Sequence, residues 1–490
     1  MSSSPTGDAE ALGGLMRKGL AWSFLNTVLG RFGTVLVGIA IARILTREDF
    51  GVFAIALVVL SATLSINELG VSVAILRWQK DVDSIQPTVA TLSVVTSGVL
   101  YLVCFLGAPA FTRLMGDEAA TGVVRLLCVG VLVDAVSAVP AARLIRDFRQ
   151  RTRFVIDTTN FVVSTVVTLS LALAGAGAWS LAWGRLSANL VSAALLVAWA
   201  PGHWRLGFDR GRARELLRFG LPLAGSNLLV VGMVNIDKVV TGHTLGTVLL
   251  GTYALAFNLS SWPVNVLSVT VQPVAIPGFA RLLDDLPRLR EAFTRGVTSL
   301  LVATLLVSVP LAVLAEPAIR FLYGVKWVDA APALTGLAVF GASRVMVSLL
   351  YDLMVAAGRT RQALAVQVAW FATLFPALVV GARLDGIRGV AWAQAVVSVL
   401  VVLPLSWWVV RGVGLRGRDL ARPLVRPLLG GVVLVAVCLA VLATGLPDLA
   451  TLALAGVVGG AAYVGVTWPT WAVLLGEVRR SRGRRPVEAT

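Results

Sequence analysis

Two arginines lie deep inside long apolar stretches of the chain, where a charge is costly. Arg31 lies near the middle of the first stretch, and Arg344 lies near the middle of a later one, followed by Ser348 and Asp352 on the same helical face. A charged side chain at the centre of a bilayer costs at least about 2.5–3.5 kcal/mol, so both arginines are candidates for contact with a ligand. A structural ion pair is the alternative for each. Small polar residues accompany the first arginine at helical spacing: Ser23, Thr27, Gly30 and Thr34.

Asparagines within apolar stretches are the second group of candidates. Asn189 shares a helical face with Arg185 and Ser192, and Asn258 lies seven residues before Asn265 on one side of another helix. An amide in a membrane helix either faces a polar cavity or hydrogen-bonds a neighbouring helix. We predict ligand contact for Asn189, Asn258 and Asn265, with interhelical bonding as the alternative.

Two aspartates, Asp237 and Asp352, are candidates for binding a coupling ion. Asp237 is followed by Lys238, but adjacent helical residues point about 100° apart, so the two need not pair. We expect no metal site and no catalytic residue, because the chain lacks metal-ligand spacing and the P-loop, H-E-x-x-H and G-x-S-x-G motifs. No cofactor is expected either. The three cysteines lie in separate apolar runs: Cys104, Cys128 and Cys438.

The composition places these residues in a membrane protein. Of 490 residues, 57% are hydrophobic and 14% are charged, whereas a soluble domain carries about 25% charged residues. Polar residues cluster between apolar runs of about 20 residues, the length that crosses a bilayer as a helix. Lipid offers the backbone no hydrogen-bond partners, so an all-α polytopic fold with about fourteen transmembrane helices is predicted. The predicted spans are 19–45, 51–75, 88–110, 121–141, 155–175, 178–200, 216–241, 249–275, 296–316, 331–357, 362–382, 387–410, 424–443 and 450–475.

The basic residues follow the predicted topology. A net charge of +16 would suggest a nucleic-acid partner in a soluble protein. Here about 30 of the 42 lysines and arginines fall in alternate loops and in the tails, as the positive-inside rule requires when both termini are cytoplasmic. The sequence therefore predicts no nucleic-acid partner and both termini in the cytoplasm.

A weak internal repeat at an offset of 200 residues divides the chain. Repeated helical bundles with a binding site between them are typical of secondary transporters. We predict two pseudo-repeated bundles around a central cavity. The matched residues are Leu45, Gly51, Phe53, Ala54 and Ala56 against Leu245, Gly251, Tyr253, Ala254 and Ala256. The expected parts are a disordered cytoplasmic tail (1–16), two six-helix lobes (17–205 and 206–411), two extra transmembrane helices (412–478) and a basic cytoplasmic tail (479–490).

Five motifs, in order and at the predicted membrane depth, carry a resemblance to a known family. They are the first outer turn (45–54), the end of the second helix (68–77), the start of the eighth helix (250–256), the following cytoplasmic loop (277–290) and the outer loop before the tenth helix (321–332), with Ala357-Gly358-Arg359 ending that helix. Together they resemble the Wzx-like polysaccharide flippases of the multidrug/oligosaccharidyl-lipid/polysaccharide exporter superfamily. The resemblance covers residues 17 to 400.

The resemblance implies a transporter and not an enzyme. Its expected substrate is a polyprenyl-pyrophosphate-linked oligosaccharide, moved from the cytoplasmic to the outer face of the bacterial plasma membrane. Arg31 and Arg344 would then contact the pyrophosphate, and the asparagines would contact sugar hydroxyls. The implied partners are this lipid-linked substrate, membrane lipids, a polysaccharide polymerase and other assembly proteins.

Two other functions stay open at this point. A multidrug-type exporter of the same superfamily would need a carboxylate-rich cavity for cationic drugs, and the mid-membrane excess of arginine favours the flippase. A membrane glycosyltransferase or polymerase would need a large extracytoplasmic loop, and the predicted outer loops are all short.

Overall fold

The structure, a computed structural model, describes residues 33–67, 85–147, 149–199, 206–415 and 417–483. These ranges contain no β-strand, and eleven of their helical segments are long and apolar enough to cross a membrane. The all-α, polytopic fold predicted from the sequence is therefore confirmed, while the count of fourteen stays a prediction. The chain divides into two compact units, residues 1–251 and 252–490. The lobe boundaries expected from the sequence stay a prediction.

The first unit is a bundle of helices. They are α1 (Gly33–Ile44), α2 (Arg47–Asn67), α3 (Gln86–Leu114), α4 (Ala120–Arg146), α5 (Gln150–Leu173), α6 (Ala178–Trp199), α7 (Arg210–Leu245) and the start of α8 (Thr247–Ala280). Helix α2 packs against α3, α4, α6 and α7, while α4 also packs against α3, α5 and α6, and α5 lies mainly against α6. An apolar cluster of buried residues, including Ile85, Val139 and Leu216, joins α3, α4 and α7.

The second unit contains the helices after α8. They are α9 (Leu286–Val313), α10 (Ala315–Tyr323), α11 (Ala331–Ala356), α12 (Thr360–Val397), α13 (Leu403–Arg411), α14 (Gly417–Leu442), α15 (Asp448–Leu454) and α16 (Gly460–Gly483), with π-helical turns at Ser398–Val402 and Ala455–Gly459. Tyr463, on α16, donates a 3.0 Å hydrogen bond to the carbonyl of Val302 on α9, within an apolar cluster that also holds Leu434 and Cys438. This contact holds the C-terminal helices on the rest of the unit.

A backbone break divides the long helix α12. The helical segment Thr360–Arg411 has 52 residues, and at about 1.5 Å per residue it is far longer than a bilayer core of about 30 Å. Asp385 and Gly386 have non-helical dihedral angles, and Gly386 has a φ of +53°, a conformation that glycine adopts without a steric penalty. The break falls between the predicted spans 362–382 and 387–410.

The stretch between α9 and α11, expected to be an outer loop, is mostly helical. It forms α10 and a 3-10 turn, Val325–Ala330. Arg320 on α10 pairs with Glu316 and lies 3.4 Å from Asp448 at the start of α15. Burial raises the pKa of Tyr323, at the end of α10, to about 12, so this side chain stays neutral.

The two glycines matched by the internal repeat lie where helix backbones touch. A Cβ atom on Gly51 would lie 1.9 Å from the carbonyl oxygen of Thr247, and one on Gly251 would lie 2.0 Å from that of Arg47. Only glycine therefore fits either position without a backbone shift. Small residues permit this kind of close helix approach in membranes, where no hydrophobic force holds apolar helices together.

We expect Gly51→Ala and Gly251→Ala each to lower the thermal unfolding midpoint of the purified protein. Alanine favours a helix by about 1 kcal/mol over glycine, but the added methyl group overlaps a carbonyl, and overpacking costs about 1–3 kcal/mol. Gly98→Ala is the matched control, because no neighbouring side chain or helix lies within 4 Å of the position that its added methyl group would take. A midpoint of Gly51→Ala equal to or above that of Gly98→Ala would contradict the backbone contact.

Candidate functional site

A polar junction joins three helices inside the first unit. The amide nitrogen of Asn67, on α2, donates a 3.0 Å hydrogen bond to a carboxylate oxygen of Asp134 on α4. Ser97, on α3, donates a 2.6 Å hydrogen bond to the amide oxygen of Asn67. Asn67 and Ser97 are 5% and 0% exposed. We call these three residues the polar junction.

The polar junction lies far from both ends of α4. Asp134 is twelve residues before Arg146, the last residue of α4, which corresponds to about 18 Å of helix. At this depth in a span the half-buried carboxylate is away from bulk water, so the hydrogen bond from Asn67 on α2, which Ser97 on α3 holds in place, replaces solvent. The arrangement fixes the rotation of three helices about their axes, because turning any one would leave a buried polar group unpaired.

Further polar contacts lie along α2. The Thr63 hydroxyl lies 3.0 Å from the sulfur of Cys104 on α3. The amide nitrogen of Asn235, on α7, lies 3.4 Å from the Ser61 hydroxyl. The amide oxygen of Asn235 accepts a 3.1 Å hydrogen bond from Lys238. Helix α2 thus carries polar contacts toward α3, α4 and α7.

A cavity of about 320 Å³ opens between α4, α5 and α6. Its polar walls include an Arg153–Asp157 ion pair at 3.8 Å and a 2.8 Å hydrogen bond from Asn160 to Ser192. Arg153 belongs to the arginine-rich segment 143–153, so the cavity lies toward the end of the unit that we call the basic face. A volume of this size accommodates several water molecules, each needing roughly 10–15 Å³ on this measure.

The structure tests the placement of only some candidates from the sequence. Arg31 lies outside the described residues, as does the side chain of Asn265. Arg344 is half-buried on α11, and Asp352 is 3% exposed on the same helix. Asp237 is 2% exposed on α7. The ligand-binding and ion-coupling roles of all these residues stay predictions.

The other two asparagines differ in their surroundings. The amide nitrogen of Asn189 lies 3.7 Å from the position of a Cβ atom on Gly130, one helical turn from Asp134, so Asn189 faces the interior of the first unit. Asn258 is exposed on α8. Their predicted contact with a ligand is untested in both cases.

Sequence reasoning did not select Asp134, although a usable signal was present. Asp134 is an ionisable residue well inside the predicted span 121–141, the same criterion that selected Arg31. Its partners could not be found in this way, because Asn67 and Ser97 belong to other helices. Asn160 was missed for the same reason, because its partner Ser192 belongs to another helix.

We expect Asn67→Ala to lower the free energy of unfolding by about 1–3 kcal/mol. The thermal unfolding midpoint of the purified protein should therefore fall markedly. The substitution leaves Ser97 and Asp134 without their shared partner, and an unsatisfied buried group costs about this much. The matched control is Asn258→Ala, at an exposed helical position, which should change stability by less than about 0.5 kcal/mol. Equal midpoints for the two variants would show that the polar junction does not stabilise the fold.

Comparisons with solved structures agree with this architecture. A structure of the lipid II flippase MurJ in an inward closed conformation superposes with a TM-score of 0.75 and 14% identity, covering 93% of this chain and 99% of that chain. An inward-facing MATE-family multidrug resistance transporter of the MOP superfamily superposes with a TM-score of 0.65 and 16% identity, covering 79% of this chain and 94% of that chain. At these identities the likeness establishes the fold alone.

Comparisons with characterised sequences are more specific. The succinoglycan biosynthesis transport protein ExoT of Rhizobium meliloti is 28% identical over 69% of this chain and 67% of its own length. The lipopolysaccharide biosynthesis protein WzxC of Escherichia coli is 24% identical over 80% of both chains. The teichuronic acid biosynthesis protein TuaB of Bacillus subtilis is 25% identical over 69% of this chain and 71% of its own.

These matches support a multi-span bacterial membrane transport protein and not an enzyme. They confirm the resemblance to Wzx-like flippases that the sequence motifs indicate. The profile of the polysaccharide biosynthesis protein family matches residues 40–332, more than half of the chain, so the chain belongs to that family.

Proposed function

We propose that this protein flips a polyprenyl-pyrophosphate-linked oligosaccharide from the cytoplasmic to the outer face of the bacterial plasma membrane. The observation that carries the proposal is family membership combined with similarity to ExoT, whose name describes a succinoglycan biosynthesis transport protein. Polar side chains buried within candidate spans, such as Asn67 and Ser97, support it. A hydrated headgroup can cross hydrocarbon only beside groups that replace its water.

The pyrophosphate needs cations within the membrane. Arg31 and Arg344 are the proposed contacts, since an arginine fork pairs with two phosphate oxygens at once. The described spans also contain buried carboxylates, for example Asp237 and Asp352, so the proposal depends on these two arginines and not on overall charge. The asparagines Asn189, Asn258 and Asn265 are the proposed contacts for sugar hydroxyls.

A multidrug exporter is the second candidate, because the MATE transporter shares the fold. The MurJ structure covers 93% of this chain and the MATE structure 79%. The greater coverage favours the flippase architecture.

The topology expected from the basic loops places both termini, and the loading side, in the cytoplasm. A polysaccharide polymerase and other assembly proteins are proposed partners on the outer side.

We expect a strain lacking this protein to accumulate lipid-linked oligosaccharide on the cytoplasmic leaflet and to lose surface polysaccharide. The wild-type gene should restore export of the lipid and the surface polysaccharide. Arg31→Ala or Arg344→Ala should lower the rate at which the lipid is flipped by about 10- to 100-fold. A charge-assisted hydrogen bond contributes about 1.5–3 kcal/mol, and about 1.4 kcal/mol corresponds to tenfold in rate. The measurement is leaflet-resolved extraction of the labelled lipid.

Arg113→Ala is the matched control for the arginine variants. The Arg113 side chain is 71% exposed and pairs with an exposed Glu118, so we expect full complementation at equal membrane abundance. Normal surface polysaccharide in the deletion strain, together with altered sensitivity to cationic drugs, would contradict the flippase and favour the exporter.

A further inference from the structure

The cavity on the basic face and Asp134 lie along one face of α4. Ser137 and Ala141 follow Asp134 at three and seven residues, which places all three on the same side of the helix. Ala141 lines the cavity and is about 10.5 Å from Asp134 along the helix axis. The cavity therefore reaches to within two helical turns of the carboxylate.

Polar groups occupy the interval between the cavity and Asp134. The Ser137 hydroxyl donates to the carbonyls of Val133 and Asp134, at 3.1 Å each, and its lone pairs can still accept a hydrogen bond. Pro140 lies inside α4 and has no N–H, so the carbonyl of Val136 lacks its usual intrahelical donor. A water molecule or a proton entering from the cavity would meet these groups in turn.

A second buried hydroxyl lies beside the polar junction. Ser93 is one helical turn from Ser97 on α3, on the side of the basic face, and is 2% exposed. Its hydroxyl has no hydrogen-bond partner in the structure. A buried polar atom without a partner is uncommon in proteins and marks a place where an additional polar group can bind.

Ionisable groups on α3, α4 and α5 have partners of their own among the described residues. Arg125 donates to the carbonyl of Phe105, Arg153 pairs with Asp157, and the Cys104 thiol lies beside Thr63. No ion pair between Asp134 and a basic side chain occurs in the described part of the chain. Within the predicted spans of α2 to α7, the described ionisable groups other than Asp134 are Tyr101, Cys104, Arg125, Cys128, Asp157, Arg185, Arg218, Asp237 and Lys238, and Arg153 lies near the start of α5.

The polar junction can pair Asn67 with both Asp134 and Ser97 in either protonation state of Asp134, because the hydrogen bonds can reform in the opposite direction. With an ionised carboxylate, Asn67 donates its N–H to Asp134 and accepts from Ser97, as observed. When the carboxyl is protonated, its O–H can donate to the Asn67 oxygen after the amide turns over, and the amide N–H then donates to the Ser97 oxygen. Both steps are possible because an amide and a hydroxyl each contain a donor and an acceptor.

We propose that the first unit contains a proton-binding site at Asp134, reached from the basic face through the cavity bounded by Arg153, Asp157, Asn160 and Ser192. The proton enters through water in the cavity, passes Ser137, and adds to the carboxylate to give a neutral carboxylic acid. No other bond is made or broken. The role of this step in driving transport rests on the proposed function, whereas proton binding itself does not.

The geometry favours a proton over a metal ion. A hard cation needs several oxygen ligands, but the hydrogen-bond donor that faces Asp134 is an N–H group of Asn67. A cation at that position would be repelled by the amide hydrogen. Protonation removes a charge from the span. Reversal of the hydrogen bonds then changes the contact of α4 with α2, and through Asn67 the contact of α2 with α3.

Infrared difference spectroscopy of the purified protein, between alkaline and acidic buffer, tests the site without any substrate. The expected result is a carboxylic-acid C=O band that appears on acidification and is absent in Asp134→Asn. In Asp352→Asn, the matched control at a buried carboxylate of the second unit, the Asp134 band should remain. A band unchanged in Asp134→Asn, or lost only in Asp352→Asn, would overturn the proposal.

Thiol labelling tests the access path and does not require Asp134→Asn to fold. Starting from a variant in which the three native cysteines are replaced by alanine, Ala141→Cys should react with a water-soluble maleimide. Val166→Cys, at a 57% exposed position of α5 within its apolar span, is the control and should react at least tenfold more slowly if lipid covers it. Equal protection of the two thiols would show that no hydrated path exists.

A transport assay separates failure of this inference from failure of the proposed function. In liposomes, an imposed pH gradient should accelerate flipping of a synthetic lipid-linked oligosaccharide by the wild type but not by Asp134→Asn. Gradient-driven flipping by Asp134→Asn would overturn the coupling role. If the wild type does not move this lipid, the proposed function fails, while the infrared result still decides whether Asp134 binds a proton.

Discussion

Lipid offers no hydrogen-bond partner, and this constraint shapes the interior of the first unit. A polar group within a span must be paired with another helix or with trapped water. Asn67 meets the requirement for three helices at once, because its amide donates to Asp134 and accepts from Ser97. The same contacts that lower the cost of burying a carboxylate also fix how α2, α3 and α4 are rotated. The stability of the first unit and the position of the ionisable Asp134 side chain thus both depend on the polar junction.

Close packing and polar contacts between helices stabilise this fold, because hydrophobic burial does not hold apolar helices together in a bilayer. Lipid tails are as apolar as leucine, so association depends on close packing and on polar contacts. Gly51 and Gly251 allow backbones to touch, and the Tyr463 hydroxyl bonds the Val302 carbonyl in the second unit. Both kinds of contact replace the hydrophobic force that stabilises a soluble core.

Apolar run length and charge distribution predict the helical class and most spans, because both follow directly from the thickness of a bilayer. The break at Gly386 falls where two predicted spans adjoin. The repeat also identified Gly51 and Gly251, although not their backbone contact. The partners of Asp134 could not be predicted, since a helix in lipid is apolar on several faces and its periodicity does not fix its rotation. Arg31 and Arg344 remain candidates chosen for their depth in apolar sequence.

Purified protein in liposomes tests directly whether this membrane protein alone moves a lipid-linked saccharide between leaflets. A synthetic polyprenyl-pyrophosphate oligosaccharide with a fluorophore on the sugar would be exposed to a membrane-impermeant quencher. We expect protein-containing vesicles to lose nearly all fluorescence, whereas protein-free vesicles should keep about half, because only one leaflet is accessible to the quencher. Protection of half of the fluorescence in both, with the protein folded and inserted, would contradict it.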